Sequence, residues 1–419
     1  HPVNDPIING LSKNLMSIAH KPLQEEAALY LLLDLFADKE ALPSDIVEYL
    51  ASFHSTKTIT VEETVKEKVV EIVKEMKLNE ETGLEEEVEV EKSKMVPKKV
   101  SKEVEVDDNK LLTLLGAEDS FTENLEKFLK KKETFSLMVG ADLYNHPNAK
   151  NCARLVALIE KYSAFKIVMI PTLTNTLGVS LINTLSDDED SSYSIGYNTK
   201  GDFTLSALGD GDLDMPAINQ QEGTLTSINK RVNPTNVAIG YGGYVLNDIA
   251  NALGLNAELT VDYTKELPTT KGFKAESFDD LPNHYTNAGV EMRGYELKNL
   301  GRKSSADESV SKIDEDLALT QNLIYFANPV RQFSDFTNKT TELNEVSGIY
   351  MSEEYLSNSE FNAGDSVKVK SDNGEVTATI VSDNKIAGDI VLIPSFDSKL
   401  NSEALFSGYR FASASIEKV

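Results

Sequence analysis

Side chains able to do redox, nucleophilic or metal chemistry are sparse in these 419 residues: one cysteine, Cys152, and five histidines, among them His20, His54, His146 and His284. An iron–sulfur cluster or a structural zinc takes several thiolates at short spacing, so one thiol leaves no ligand set for either. Cys152 falls inside PNAKNCARLVALIEKY (147–162), a helical pattern in which it reads as a small apolar residue and not as a reactive one. His20 and His54 lack a second ligand at metal spacing. His146 precedes Pro147 with no Ser or Cys partner; these three read as structural or surface residues, and His284, beside Tyr285 in a loop, has no partner to argue from. The acidic run Asp187 to Asp190 reads as a solvated loop, because carboxylates at consecutive positions point in different directions and do not converge on a calcium ion. The residues therefore nominate no catalytic, cofactor-binding or metal-binding side chain.

The elements that would position a site read more clearly. TFSLMVG (134–140) is a short apolar strand pattern ending in glycine, 147–162 is a helix with Leu155, Leu158 and Ile159 on one face, and FKIVMIP (165–171) is the next strand. A helical GVSLINTL follows, and such alternation predicts a parallel sheet with covering helices. Loops after parallel strands are where α/β folds place ligands, here GADLYNHPN (140–148) and PTLTNTLG (171–178). Neither is a GxGxxG or a Walker loop. Asn175 and Gly178 either hydrogen-bond a ligand or shape the turn, and the turn is the favoured reading.

On the amino-terminal side, Pro22 followed by Glu25 and Glu26 starts a helix through LQEEAALYLLLDLF that is apolar on nearly every side and so is expected to be buried. From Thr58 the composition changes, with 16 acidic and 9 basic residues between Val61 and Asp108. Val61, Val65, Val69, Ile72 and Met76 recur at helical spacing, beside a like-charged row of Glu63, Glu67, Glu71 and Glu75. This stretch reads as a charged, partly disordered linker, with a docking helix for a partner subunit as the other reading. Near the carboxyl end, Val367 and Val369, then Val376, Ala378 and Ile380, alternate between turns at Asp372 to Gly374 and near Gly388, which predicts a small β-barrel. The expected organisation is a helical segment (1–57), a charged linker (58–108), an α/β domain (109–345) and a β-barrel (346–419).

A formal charge of −27 repels phosphate backbones and anionic headgroups, which argues against nucleic-acid and membrane-surface partners. The richest apolar run, Ala27 to Phe36, is interrupted by Asp34 and falls short of the roughly 18 residues that span a bilayer, so no direct membrane insertion is expected. The opening HPVNDP has neither a basic start nor an apolar signal core, and the chain is read as a fragment or processed product.

The segment INQQEGTLTSINKRVNPTN (218–236), followed by YVLNDIANALG (244–254), resembles the region of molybdopterin oxidoreductases written E-G-T-F-T-N and then G-R-V. Glu222, Gly223, Thr224, Thr226, Arg231 and Val232 match; Leu225 stands for the aromatic residue, Ser227 for Asn and Lys230 for Gly. The helix ending at Gly254 and the barrel signature Gly364, Asp365, Val367, Val369, Ser371, Gly374, Gly388 and Pro394 recur in the same order as in that family. HPVNDPIINGLSKN, NTLGVSLI and GDLDMPAINQQEG are similar to the molybdopterin-oxidoreductase-like subunit of the bacterial respiratory NADH-quinone oxidoreductase, complex I. The resemblance covers most of the chain outside 58–108. It implies an α/β fold with a parallel-sheet molybdopterin-oxidoreductase-like domain, a carboxyl-terminal barrel and an amino-terminal helical segment. It also implies that the iron–sulfur clusters lie in an amino-terminal part of the parent subunit outside these residues, and that no cofactor is held here. The implied setting is a cytoplasmic peripheral arm at the inner membrane, with other complex I subunits as partners.

Three functions follow from these readings. The first is a structural, non-redox part of that complex I subunit, supporting electron transfer from NADH to quinone in the assembly. The second is the carboxyl-terminal half of an active molybdopterin oxidoreductase such as a formate dehydrogenase or nitrate reductase. A molybdenum site needs a metal ligand and cationic contacts to a large anionic pterin dinucleotide, and the charge of −27 with no motif-placed Cys weighs against it. The third is an independent interaction protein that binds a partner through residues 58–108.

Overall fold

A computed structural model describes residues 16–78, 85–118, 120–130, 132, 134–171, 173–183, 192–254, 261–298, 309–319, 322–327, 337, 340, 346–386, 388–395, 397 and 399–419. The opening segment 1–14 and the acidic run Asp187 to Asp190 lie outside these residues. The chain separates into two compact units, one built chiefly of Leu42–Lys130 and the other of Lys21–Ala41 with Lys131–Val419. The expected amino-terminal helix is present as α1 (Glu25–Phe36) and belongs to the second unit. It is buried nearly all round: Ala27, Leu29, Tyr30, Leu31 and Leu33 are enclosed, and so are Glu25, Glu26 and Asp34.

In the first unit, helix α2 (Ser44–Ala51) buries Ile46 and Leu50 and leads into two long strands, β1 (His54–Leu78) and β2 (Glu85–Asn109). These pair antiparallel along their whole length, from His54 opposite Asn109 to Leu78 opposite Glu85. The ribbon replaces the linker or helix expected over 58–108. A valine every fourth residue suits a strand as well as a helix, because four is a multiple of the strand period of two and close to the helical turn of 3.6. β-Branched valines and an equally alternating partner segment decide for the strand. The ribbon closes at its base, where the Lys110 amide donates to the Phe53 carbonyl at 2.9 Å. There Asn109 caps helix α3 (Lys110–Leu114) by accepting from the Leu111 amide at 2.9 Å. Helix α4 (Phe121–Leu129) completes the unit.

The second unit contains the expected strand, helix, strand alternation. β3 (Phe135–Val139) and β4 (Phe165–Met169) pair in parallel, joined through the short helix α5 (Ala141–Tyr144) and through α6 (Ala149–Tyr162). α6 buries Leu155, Leu158 and Ile159 together with Cys152. Phe36 of α1 packs edge-on against Phe165, with ring centroids 5.2 Å apart. Helix α7 (Thr176–Ile182) follows; then β5 (Ile195–Tyr197), β6 (Phe203–Ser206) and β7 (Leu213–Asp214) form a second small parallel sheet. β8 (Gly223–Thr226), β9 (Arg231–Thr235) and β10 (Tyr295–Glu296) form an antiparallel one, and helix α8 (Leu246–Ala252) lies between β9 and β10 in sequence.

The carboxyl-terminal barrel is closed and six-stranded. β11 (Asn322–Ala327), β12 (Ile349–Met351), β13 (Ser366–Lys370), β14 (Glu375–Ser382), β15 (Val391–Pro394) and β16 (Phe411–Lys418) follow around it in the order 11, 15, 12, 14, 13, 16. Its first strand therefore comes from residues before 346. Val367, Val369, Val376, Ala378 and Ile380 all point inward, as their alternation predicts, and pack with Ile324, Ile349, Val391 and Ile393. In the 371–374 turn the Ser371 amide donates to the Gly374 carbonyl. A side chain at 374 would meet the Ala404 carbonyl oxygen at 2.6 Å, so this glycine is set by close approach. The architecture is thus mixed α/β, with several small sheets and one closed barrel. Among the described residues no helix is long and apolar enough to cross a membrane.

Because β1 and β2 leave and return at one hydrogen-bonded point, excising 54–108 and bridging Phe53 to Asn109 with a short Gly-Ser link, which keeps the Asn109 cap, is expected to leave the rest folded. Its melting temperature should stay within about 2 °C of the parent, read by calorimetry on the two proteins. Loss of the cooperative transition would show that the ribbon is part of a folding core.

Candidate functional site

The residues with the most specific sequence signal converge on the β8–β9 hairpin. Gly223 to Thr226 form β8, and Arg231 to Thr235 form β9. Between them, Ser227 to Lys230 make a turn in which the Lys230 amide donates to the Ser227 carbonyl at 2.9 Å. Lys230 has φ of +64°, a left-handed conformation that glycine adopts most readily. This is the position at which the motif has Gly. Arg231 directs its Nε to the Arg293 carbonyl at 2.5 Å and its guanidinium toward Glu296 at 3.8 Å, so the fold employs this cation internally. Val232 is enclosed by Phe273, Phe278, Leu281 and Tyr295. Gly294, at φ of +54°, lies so close to the Val232 carbonyl that no side chain fits there.

Asn175 and Gly178 meet this hairpin. Asn175 is itself left-handed, with φ of +64°, and its Oδ1 accepts from the Thr226 amide at 2.8 Å. A Cβ at Gly178 would stand 2.4 Å from Asn175 Oδ1 and 2.8 Å from Thr226 Oγ1. The loop after β4 therefore shapes the turn and ties down the end of β8, as the sequence favours.

Beside the hairpin lies an open cleft of about 590 Å³, floored by Gln221 to Leu225 and walled by Tyr197, Ile218, Thr235, Val237, Tyr241 and Leu246. Among the described residues its lining carries one carboxylate, Glu222, and no imidazole, thiol, ammonium or guanidinium. Such a surface offers apolar contact and hydrogen bonds to a bound group, with no acid–base pair to move a proton. Ile218, Val237 and Leu246 on its walls are exposed.

A second junction, which the sequence does not reveal, lies where α1 meets the 140–148 loop and the barrel. Tyr409 donates its hydroxyl to Glu25 Oε1 at 2.5 Å and accepts the Leu23 amide at 3.0 Å. His146 Nδ1 accepts the Asn148 amide at 2.9 Å, which places the ring proton on Nε2, 3.4 Å from the Leu23 carbonyl oxygen and 3.6 Å from Glu25 Oε2. Glu25 Oε2 is buried with no hydrogen-bond partner. Glu26 accepts from Asn148 at 2.9 Å and Asn151 at 2.6 Å, and Asn151 in turn accepts the Ser311 amide at 2.8 Å. Asp142 takes a bidentate pair from Arg410, both contacts at 2.5 Å, and Arg410 also donates to the Tyr325 hydroxyl at 2.9 Å. The 140–148 loop thus anchors α1 and the barrel. Burial pushes the Glu25 carboxyl above its usual range, opposed by the Tyr409 hydroxyl, and burial beside Glu26 and Glu25 pushes the Cys152 thiol up to about 12, which keeps it unreactive.

Of the other residues weighed for chemistry, His20 is buried, His54 opens β1 opposite Asn109, and His284 is an exposed loop residue whose carbonyl accepts the Met292 amide. Among the described residues no group of three or more His, Cys, Asp or Glu side chains is placed to hold a metal ion. No protein-family model matches the chain, and no curated protein matches it significantly.

The substitution Lys230→Gly relieves the left-handed backbone and should raise stability by roughly 0.5–1 kcal/mol in urea titrations; a loss of stability would contradict the turn. Because burial raises the Glu25 carboxyl above its unfolded value near 4.5, protonation favours the folded state, and stability should fall as pH rises above that value. Glu25→Gln should flatten this decline while keeping the Tyr409 contact, measured as melting temperature against pH for both proteins.

Proposed function

We propose that this chain is the carboxyl-terminal, non-redox part of the molybdopterin-oxidoreductase-like subunit of a bacterial NADH-quinone oxidoreductase, a structural element of the peripheral arm of complex I. The observation that carries the reading is the β8–β9 hairpin. The stretch that resembles the molybdopterin-oxidoreductase motif is a strand, turn and strand whose left-handed turn position coincides with the motif's glycine, while its arginine is engaged with the Arg293 carbonyl. A motif whose cation is engaged inside the fold suits a scaffold better than a pocket for an anionic pterin dinucleotide. The closed barrel after the α/β region agrees with the domain order of that family. The cleft beside the motif, apolar-walled and without an acid–base pair, suits packing against neighbouring polypeptide.

In this role the chain carries no electrons. It braces and shields the cluster-bearing part of the parent subunit and contacts other complex I subunits, on the cytoplasmic side of the inner membrane.

The test is elemental and pterin analysis of the purified, folded chain, joined to capture of a separately produced cluster-bearing amino-terminal segment of the same complex I subunit. Absence of molybdenum, tungsten and pterin together with capture is the expected result. Stoichiometric pterin with either metal would assign the chain to an active molybdopterin oxidoreductase such as a formate dehydrogenase or nitrate reductase, and failure of capture would remove the complex I assignment.

A further inference from the structure

We infer that the two-stranded sheet of β3 and β4 is an acceptor for a further strand, which a partner polypeptide lays along the outer edge of β3. Wholly parallel sheets occur almost only with cover on both faces, and two strands alone bury too little apolar surface to be stable in water. Among the described residues β3 and β4 pair only with each other. The stretch FKIVMI (165–170), β4 with the residue after it, is nearly continuous in apolar residues, the pattern of a strand enclosed from both sides.

The two faces of this sheet differ. Phe135 and Phe165 are neighbours in the register and meet Phe36 of α1 at ring-centroid distances of 6.2 and 5.2 Å, so their face is covered. Side chains alternate along a strand, which puts Ser136 and Met138, with Lys166, Val168 and Ile170, on the other face. There Met138 is 67% exposed and Ile170 42%, although both are large apolar residues.

The same alternation selects the edge. The Ile170 amide donates to the Val139 carbonyl at 2.8 Å, which turns the backbone groups of Phe135, Leu137 and Val139 toward β4 and those of Ser136 and Met138 outward. On the far edge of β4 the Phe165 amide already donates to Ser163 Oγ at 3.2 Å, and Lys166 brings a charge to that strand. β3 has neither protection: FSLMV contains no charge and no proline, the usual guards of an exposed edge. Lys132 and Lys166, near the amino ends of the two strands, are exposed. They favour an arriving strand that is apolar along its middle and carries a carboxylate at that end. The cluster-bearing part of the parent subunit supplies this strand, an assignment that rests on the complex I reading.

The test is capture of the cluster-bearing amino-terminal segment by the full chain, with amide hydrogen exchange read residue by residue in the free and captured protein. Exchange at Ser136 and Met138 is expected to slow at least about tenfold on capture, while Leu137 and Val139, already bonded to β4, change little. Met138→Pro removes an outward amide, so its melting temperature should stay at the parent value while capture weakens at least about tenfold. Met138→Lys keeps the amide but places a charge on the edge strand, and should weaken capture in the same direction. Variants that capture as the wild type does, or Ser136 and Met138 amides that exchange as before in the captured protein, overturn the strand assignment and leave the complex I reading standing. The exchange measurement decides this on the wild type alone, whether or not a variant folds. A wild type that captures nothing overturns both.

Discussion

The second unit depends on the burial of α1 with its charges. Twelve residues that are apolar on almost every side must be enclosed, but Glu25, Glu26 and Asp34 enter the interior with them. A carboxylate without partners there costs several kcal/mol, so the surrounding elements have to supply donors. Asp34 finds Lys39 at 2.8 Å, Glu26 finds two asparagines of the α6 start, and Glu25 finds Tyr409 of the barrel. The helix consequently dictates what the 140–148 loop and the chain before β16 must present. That loop lies where an α/β fold would place a ligand, and His146, Asn148 and Asp142 are all turned to internal contacts there.

Elements whose pattern admits one period are legible from sequence. α1, α6, the β3–β4 pair and the inward valines of the barrel follow from local spacing and turn residues. The ribbon is not legible in this way, because valines four apart satisfy two periods and the deciding partner strand is itself charged and alternating. The barrel's first strand, Asn322–Ala327, escapes a local reading because its pairing to Val391–Pro394 and Phe411–Lys418 reaches far along the chain.

The same division applies to the sites. Asn175 and Gly178 are identifiable because short-range turn chemistry makes their residue types informative, whereas the Glu222 to Val232 stretch is singled out by the resemblance and not by its local spacing. The Glu25–Tyr409 contact joins positions 384 apart. Glu25 alone reads as an ordinary acid in a first helical turn, and only the fold makes it a buried carboxyl with one oxygen that accepts no hydrogen bond among the described residues. A buried carboxyl of this type cannot be recovered from one segment.

The base of the ribbon, where Phe53 and Lys110 meet, separates the length of the ribbon from the fold that bears it. Adding or removing matched residues in β1 and β2 alters nothing at that junction, and two added residues in each strand extend it by roughly 7 Å while every side chain keeps its side. Evolution can therefore adjust the ribbon as a ruler, setting how far its two strands reach while the junction at their base stays as it is.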